Sequence, residues 1–262
     1  MTDKRKARLS RDELRALMLD AGRETLREEG IEATTNNLTF KRVFERVERD
    51  TGIQLTNASV IRRVWENQAD FQADVLSAIA RDAERPEVDE SLRAITSFLD
   101  GFDLSTEALR MTAARQLCRV VGAASSDTMQ ASSNWPLWIS VVAMAMNSSP
   151  SERRSRVKEA LQEGYTTITE FWEESTGIFM AHLGLRFRPP WTMRQYTITT
   201  TAISEGYALR QQIEGMLVPF TRPTGPDGEL QEWTLFGLAM EALVVQCVEP
   251  DPEFGPRPGP PV

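Results

Sequence analysis

Thr56, Asn57, Ser59, Arg62 and Arg63 lie close together in the chain and carry side chains suited to reading DNA. Arg can bond guanine bidentately, Asn can bond adenine, and Ser or Thr can reach phosphate oxygens. If the segment from Asn57 is helical, successive side chains rotate by about 100°. Val60, Ile61, Val64 and Trp65 then share one face, and Ser59, Arg62, Arg63 and Glu66 share the opposite one, with Thr56 near the start. An apolar stripe backs a face of donors, and Trp65 reads as core rather than as a base-stacking residue. An ordinary surface helix with two solvated Arg has the same pattern, so this segment alone leaves both readings open.

The elements that would present this face are legible upstream. Ser10-Arg11-Asp12-Glu13 is a capping box, so a helix starts there. Leu14, Leu17, Met18, Ala21, Thr25 and Leu26 follow at helical spacing, and Gly30 is the stop. Thr39 is the expected N-cap of a second helix, whose face is Phe40, Val43, Phe44 and Val47 and which ends at Gly52. A fourth helix is expected from about Asn67, with Phe71, Val75, Leu76 and Ile79, ending by Pro86. Two short helices around a turn that contains Gly52 match a helix-turn-helix, whose second helix enters the major groove.

Charge supports the same division. The chain has 262 residues and a formal charge of -8. Residues 1–65 hold 14 cations against 11 carboxylates, a net of +3, and the rest holds 16 against 27, a net of -11. A basic segment on an acidic body suggests one part that faces nucleic acid and another that does not. Lys4, Arg5, Lys6 and Arg8 form a basic arm suited to a backbone or a minor groove. Thr39, Lys41 and Arg42 open the second helix, where free N–H groups favour phosphate.

The remainder also reads as helix: Ser91 to Leu99, Ser105 to Val121, Pro136 to Met146, Ser151 to Leu183, Thr192 to Met216 and Glu229 to Glu249. RFRPPW reads as a break, TRPTGPDG as a loop, and the Pro-rich tail as disordered. The last helix is apolar nearly all round, so it is buried on more than one side, in a core or at a subunit interface. Met111, Cys118, Trp135, Trp138, Met144, Phe171, Trp172, Phe179 and His182 could line an apolar ligand pocket or simply form core.

One His and two widely separated Cys leave no metal cage, and no Glu-x-x-His motif or Gly-rich phosphate loop is present. No metal, cofactor or catalytic residue is expected. The charged N-terminus is not a signal peptide, and no apolar run is long enough to span a bilayer, so a cytoplasmic location is expected.

Residues 11–79 resemble the DNA-binding region of TetR-type transcriptional regulators. The match rests on Ala21 and Gly30, on Gly52-Ile53 at the turn, on Ile61 with Trp65, and on Phe71 with Val75-Leu76. The sequence departs from the pattern in a turn about three residues longer through QLTNA, in Arg62 where Tyr is usual, and in Gln68 where Lys is usual. The resemblance implies an all-α fold: a helix-turn-helix domain over 1–85 (arm 1–9), a larger helical effector-binding and dimerisation domain over 86–249, and the tail 250–262. It implies a homodimer whose last two helices form a four-helix bundle, with Leu209, Ile213, Phe236, Met240, Leu243 and Val244 at the interface. It also implies a repressor that leaves a pseudo-palindromic operator when a small apolar ligand binds. The alternatives are a DNA-binding dimer with no such ligand and an all-helical enzyme.

Overall fold

A computed structural model describes residues 9–29, 38–61, 63–81, 95, 97–132, 134–147, 152–215, 218–225 and 228–255, and the backbone alone of Glu29, Ser59 and Arg153. Among these residues the helices are α1 (Arg11–Glu29), α2 (Phe40–Thr51), α3 (Asn57–Val60), α4 (Gln68–Arg81), α5 (Glu107–Ala131), α6 (Trp135–Asn147), α7 (Glu152–Leu183), α8 (Met193–Glu214) and α9 (Leu235–Cys247). The strands are short: β1 (Leu185–Phe187), β2 (Phe220–Pro223), β3 (Leu230–Trp233) and β4 (Val248–Pro250). The fold class is all-α. No helix among the described residues is long and apolar enough to cross a membrane.

Local chemistry sets most helix ends. Ser10 N donates to Glu13 Oε2 at 2.7 Å, and Glu13 N donates back to Ser10 Oγ at 3.1 Å, which completes the capping box of α1. Thr39 Oγ1 accepts from Arg42 N at the start of α2. Gly52 ends α2 at φ 70°, a left-handed conformation that costs glycine little. Asn67 Oδ1 accepts from Asp70 N at the start of α4. Thr192 and Gln195 form a second capping box at α8, and the β-branched run Thr197 to Thr201 continues that helix.

The chain divides into two compact units, Met1–Glu84 with Ser133–Thr166, and Arg85–Ser132 with Thr167–Val262. Residues 133–166, which the sequence reading grouped with the second domain, pack with the first unit.

The first unit is built on α4. Phe71, Val75 and Leu76 are fully buried together with Leu14 and Met18 of α1, Val43 and Val47 of α2, and Val60 of α3. Each such side chain contributes roughly 1.5–3 kcal/mol on burial. Phe71 stacks on Phe40 at 5.2 Å and takes the edge of Trp65 at 4.9 Å. Gly22 lets α1 approach α4 closely, since a Cβ there would lie 2.8 Å from Val75 Cγ2. On α6, Trp135 stacks on Trp138, which meets Tyr165 of α7 edge-on.

In the second unit α5 crosses α9 at glycines. A Cβ on Gly122 would stand 2.5 Å from Gly237 Cα. Around the crossing, Leu117, Cys118, Phe179, Tyr196, Val244 and Cys247 share one core. Glu241 of α9 is 6% exposed and receives Arg115 Nε at 2.7 Å and Arg222 Nη1 at 2.5 Å. Burial opposes its charge, but the hydrogen bonds from Arg222 and Arg115 prevail and hold the carboxyl below its ordinary range.

The strands correct three expectations. The stretch read as a loop folds into the β2–β3 hairpin, with Phe220 opposite Trp233 and Pro223 opposite Leu230. Residues 229–234 are therefore not helical, and α9 begins at Leu235 with Thr234 as its cap. RFRPPW contains the end of β1, which pairs with β4 so that Leu185 faces Pro250. The tail is consequently ordered past 250: Asp251 N donates to Gly184 O at 2.9 Å, and the Phe254 ring lies 5.1 Å from the Arg110 guanidinium. Residues 256–262 lie outside the described residues.

Candidate nucleic-acid interface

Three helices and the turn at Gly52 stand in the expected order, but α3 is shorter than the periodicity predicts. Its regular part is Asn57–Val60, extended by Ile61 N to Asn57 O and Val64 N to Val60 O. Val60, Ile61 and Val64 are β-branched, which lowers helix propensity. Trp65 then leaves the helical path: its Nε1 donates to Asp74 Oδ2 at 2.9 Å. A helix running on to Glu66 gives way to this tertiary hold.

The change reassigns Arg63. Its Nη2 donates to the Leu9 carbonyl at 2.5 Å, so the side chain turns back to the start of α1. That bond ties the turn after α3 to the residue that precedes the capping box of α1. Thr56 and Asn57 are exposed at the entry to α3. Arg62 and the arm residues Lys4, Arg5, Lys6 and Arg8 lie outside the described residues, as does the Ser59 side chain.

At α2, Lys41 is 85% exposed, with only a 3.9 Å approach to Glu45, and Arg42 is also exposed. Thr39 is occupied as the cap. Phe40 N donates to Gln68 Oε1 at 3.4 Å, so part of the N-terminal N–H set is satisfied from within. Gln68 stands where the resemblance has Lys, and it supplies an acceptor that Lys lacks. Its position at the head of α4 signalled a departure but not this bond.

Much of the basic charge in residues 1–65 is structural. Arg46 joins Glu28 through two bonds of 2.6 and 2.9 Å and reaches Asp50 at 3.2 Å. The Arg46 bond is the largest influence on Glu28 and lowers its carboxyl below the ordinary range. Arg15 pairs with Asp74, Arg23 with Asp20, Arg27 with Glu24, and Arg49 with Asp50. At the head of α2 and the turn into α3, Lys41, Arg42, Thr56 and Asn57 are exposed.

The other predicted sets separate. Trp135, Trp138 and Met144 belong to the first unit, while Met111, Cys118, Phe171, Trp172, Phe179 and His182 belong to the second. Cys118 and Phe179 are core, and His182 Nε2 lies 3.6 Å from Asp100 Oδ1. Burial pushes the Cys118 thiol up to about 12. Among the described residues no cluster of His, Cys, Asp or Glu could hold a metal ion.

On α9, Phe236 and Val244 are buried, and Met240 and Leu243 pack on the core of the same chain. On the opposite face Leu235, Ala242 and Val245 are exposed. On the adjacent α8, Leu209 and Ile213, which the sequence reading placed at the interface, are exposed, with Ile198 and Ala202 on the same arc.

No family model and no curated protein matches the sequence. Among solved structures the chain is similar to SmeT, the repressor of the Stenotrophomonas maltophilia multidrug efflux pump SmeDEF, at 18% identity and a TM-score of 0.42, over 94% of this chain and 96% of that one. A likeness of that size assigns neither a family nor an activity to this chain.

Proposed function

We propose that the chain is a DNA-binding transcriptional regulator that acts as a homodimer. The observation that carries this reading is the α1–α2–turn–α3 arrangement, in which Lys41 and Arg42 at the head of α2 and Thr56 and Asn57 at the entry to α3 are exposed while Trp65 and Val60 are buried. The exposed apolar stripes of α8 and α9 support the homodimer, since burying them against a second copy removes them from water. Two copies would set two reading segments on a pseudo-palindromic site. Repression is the mode the TetR-type resemblance implies, and the arm, Ser59 and Arg62 would complete the contacts.

A dimer with no small effector is the second reading. It is favoured by the placement of Cys118 and Phe179 inside a packed core rather than on a wall. Catalysis is the least supported reading, because among the described residues no set for an active site is brought together.

The test is selection of duplexes from a random-sequence pool by the full chain, followed by affinity measurements across salt. The selected duplex should be a two-fold repeat. Lys41→Ala should weaken all sequences alike and flatten the salt slope by about one unit. Failure to enrich any duplex at low salt overturns the DNA reading. Loss of binding on adding small apolar compounds would favour an effector over the second reading.

A further inference from the structure

Asp74 of α4 has both carboxylate oxygens engaged. Oδ2 accepts from Trp65 Nε1 at 2.9 Å and from Arg15 Nη2 at 2.9 Å, and Oδ1 accepts from Arg156 Nη2 at 2.5 Å. The other Arg156 terminal nitrogen, Nη1, donates to Asp70 Oδ1 at 2.8 Å. Asp70 and Asp74 are one helical turn apart, and like charges at that spacing repel. A single planar guanidinium answers both.

Arg156 is itself held firmly. Its neighbours on α7, Val157, Ala160 and Leu161, are buried in the first unit. Further along, Gly164 lets α7 come so close to α4 that a Cβ would collide with the Ala80 carbonyl. Arg81 reaches Glu163 at 2.5 Å beside that contact. The first half of α7 is thus fixed to α4 at both ends of α4.

Trp65 connects this network to the reading segment. It bridges back to Ile61, and the turn from Val60 to Val64 joins it to α3. Asp74 holds the Trp65 indole, whose ring meets Phe71 edge-on at 4.9 Å.

We propose that Arg156 is a positioning residue for the DNA-reading segment: by bridging Asp70 and Asp74 it fixes the carboxylate that anchors Trp65, and so fixes where Thr56 and Asn57 stand. The role rests on the DNA-binding reading above. It makes α7 part of the recognition machinery.

The test uses the full chain labelled with ¹⁵N at the tryptophan indoles, with the Trp65 resonance assigned through Trp65→Phe. Affinity is measured for the duplex that the unaltered chain selects, at a temperature well below melting. Arg156→Ala should shift the Trp65 indole N–H resonance and weaken the selected duplex roughly tenfold. Arg156→Lys, which reaches one carboxylate at a time, should fall between. Arg81→Ala breaks the other α4–α7 ion pair and should leave both readouts in place, whatever it does to the melting temperature.

The proposal is overturned if Arg156→Ala moves neither readout, or if Arg81→Ala moves both equally, because the effect would then be general loosening. A chain that selects no duplex overturns the DNA role together with the reading it rests on. The indole shift would still report whether Arg156 holds Trp65, so the two failures are distinguishable.

Discussion

Replacing Gly122 with alanine puts a methyl group where α5 crosses α9. The new Cβ would lie 2.5 Å from Gly237 Cα, 2.6 Å from Gly237 N and 3.1 Å from Thr234 Oγ1. Carbon atoms in contact sit about 3.5–4.0 Å apart, so the helices must separate by roughly 1 Å. Two of the three opposing atoms are backbone, and no rotamer change can move them aside. Overpacking of this kind costs about 1–3 kcal/mol, and the rigidity of the obstacle favours the upper end. Alanine returns about 1 kcal/mol of helix propensity, which leaves a net loss of about 2 kcal/mol. Urea unfolding at fixed protein concentration should show a lower midpoint with an unchanged slope. Gly177→Ala on α7 is the counterpart: its Cβ would meet only Met193 Cε at 3.7 Å, an ordinary contact, so it should gain about 0.5–1 kcal/mol. If Gly122→Ala proves as stable as the parent, the crossing is not set by backbone contact and the reasoning fails.

Asp74 gives a pH signature. Burial opposes its charge, but the hydrogen bonds from Trp65 and Arg15 and the charges of Arg15 and Arg156 outweigh it and hold the carboxyl below its ordinary range. The stabilisation is therefore complete above the unfolded value of about 3.9 and is lost as pH falls below it. The stability gap between the parent and Asp74→Asn should be constant near neutrality and narrow below about pH 4, and a gap that does not narrow in acid refutes the assignment. Leu209→Arg or Ile213→Arg should yield a folded monomer in sedimentation, because both side chains are exposed on α8; a persistent dimer would place the interface elsewhere. With its thiol pushed up to about 12, Cys118 should resist iodoacetamide at about pH 8 until the chain is unfolded in urea. Mass spectrometry that finds it alkylated in the native chain would contradict its burial.

What sequence reasoning recovered was local. Ser10 with Glu13, Thr39, Gly52, Asn67 and Thr192 each act within four residues of where they stand, and each terminus appeared where its chemistry placed it. What it missed depends on distant partners. The length of α3 is decided by Asp74 pulling Trp65, and a periodicity count through Glu66 cannot register that bond. Arg63 looked outward on an ideal helix, and a carbonyl 54 residues earlier claims it. The β1–β4 pairing joins segments 63 residues apart, so the tail read as disordered on composition alone. Two clues were present and unread. Thr-Gly-Pro-Asp-Gly between Phe220–Pro223 and Leu230–Trp233 is hairpin chemistry. An aspartate pair one turn apart on α4 calls for an outside cation, which Arg156 supplies.

The return of residues 133–166 to the first unit has a consequence for biosynthesis. When Asp74 leaves the ribosome, the arginine that neutralises it with Asp70 is still 82 residues away. At 5–20 residues per second, that is a delay on the order of ten seconds. Throughout it the inner side of α4 lacks its α6 and α7 cover, and Asp70 stands one turn from Asp74 without the guanidinium that bridges them, Asp74 having only Arg15 and Trp65. The nascent chain carries α1 to α4 early but without a finished scaffold. Its period of greatest exposure to chaperones and proteases lies within its own synthesis and closes as the stretch through Thr166 emerges.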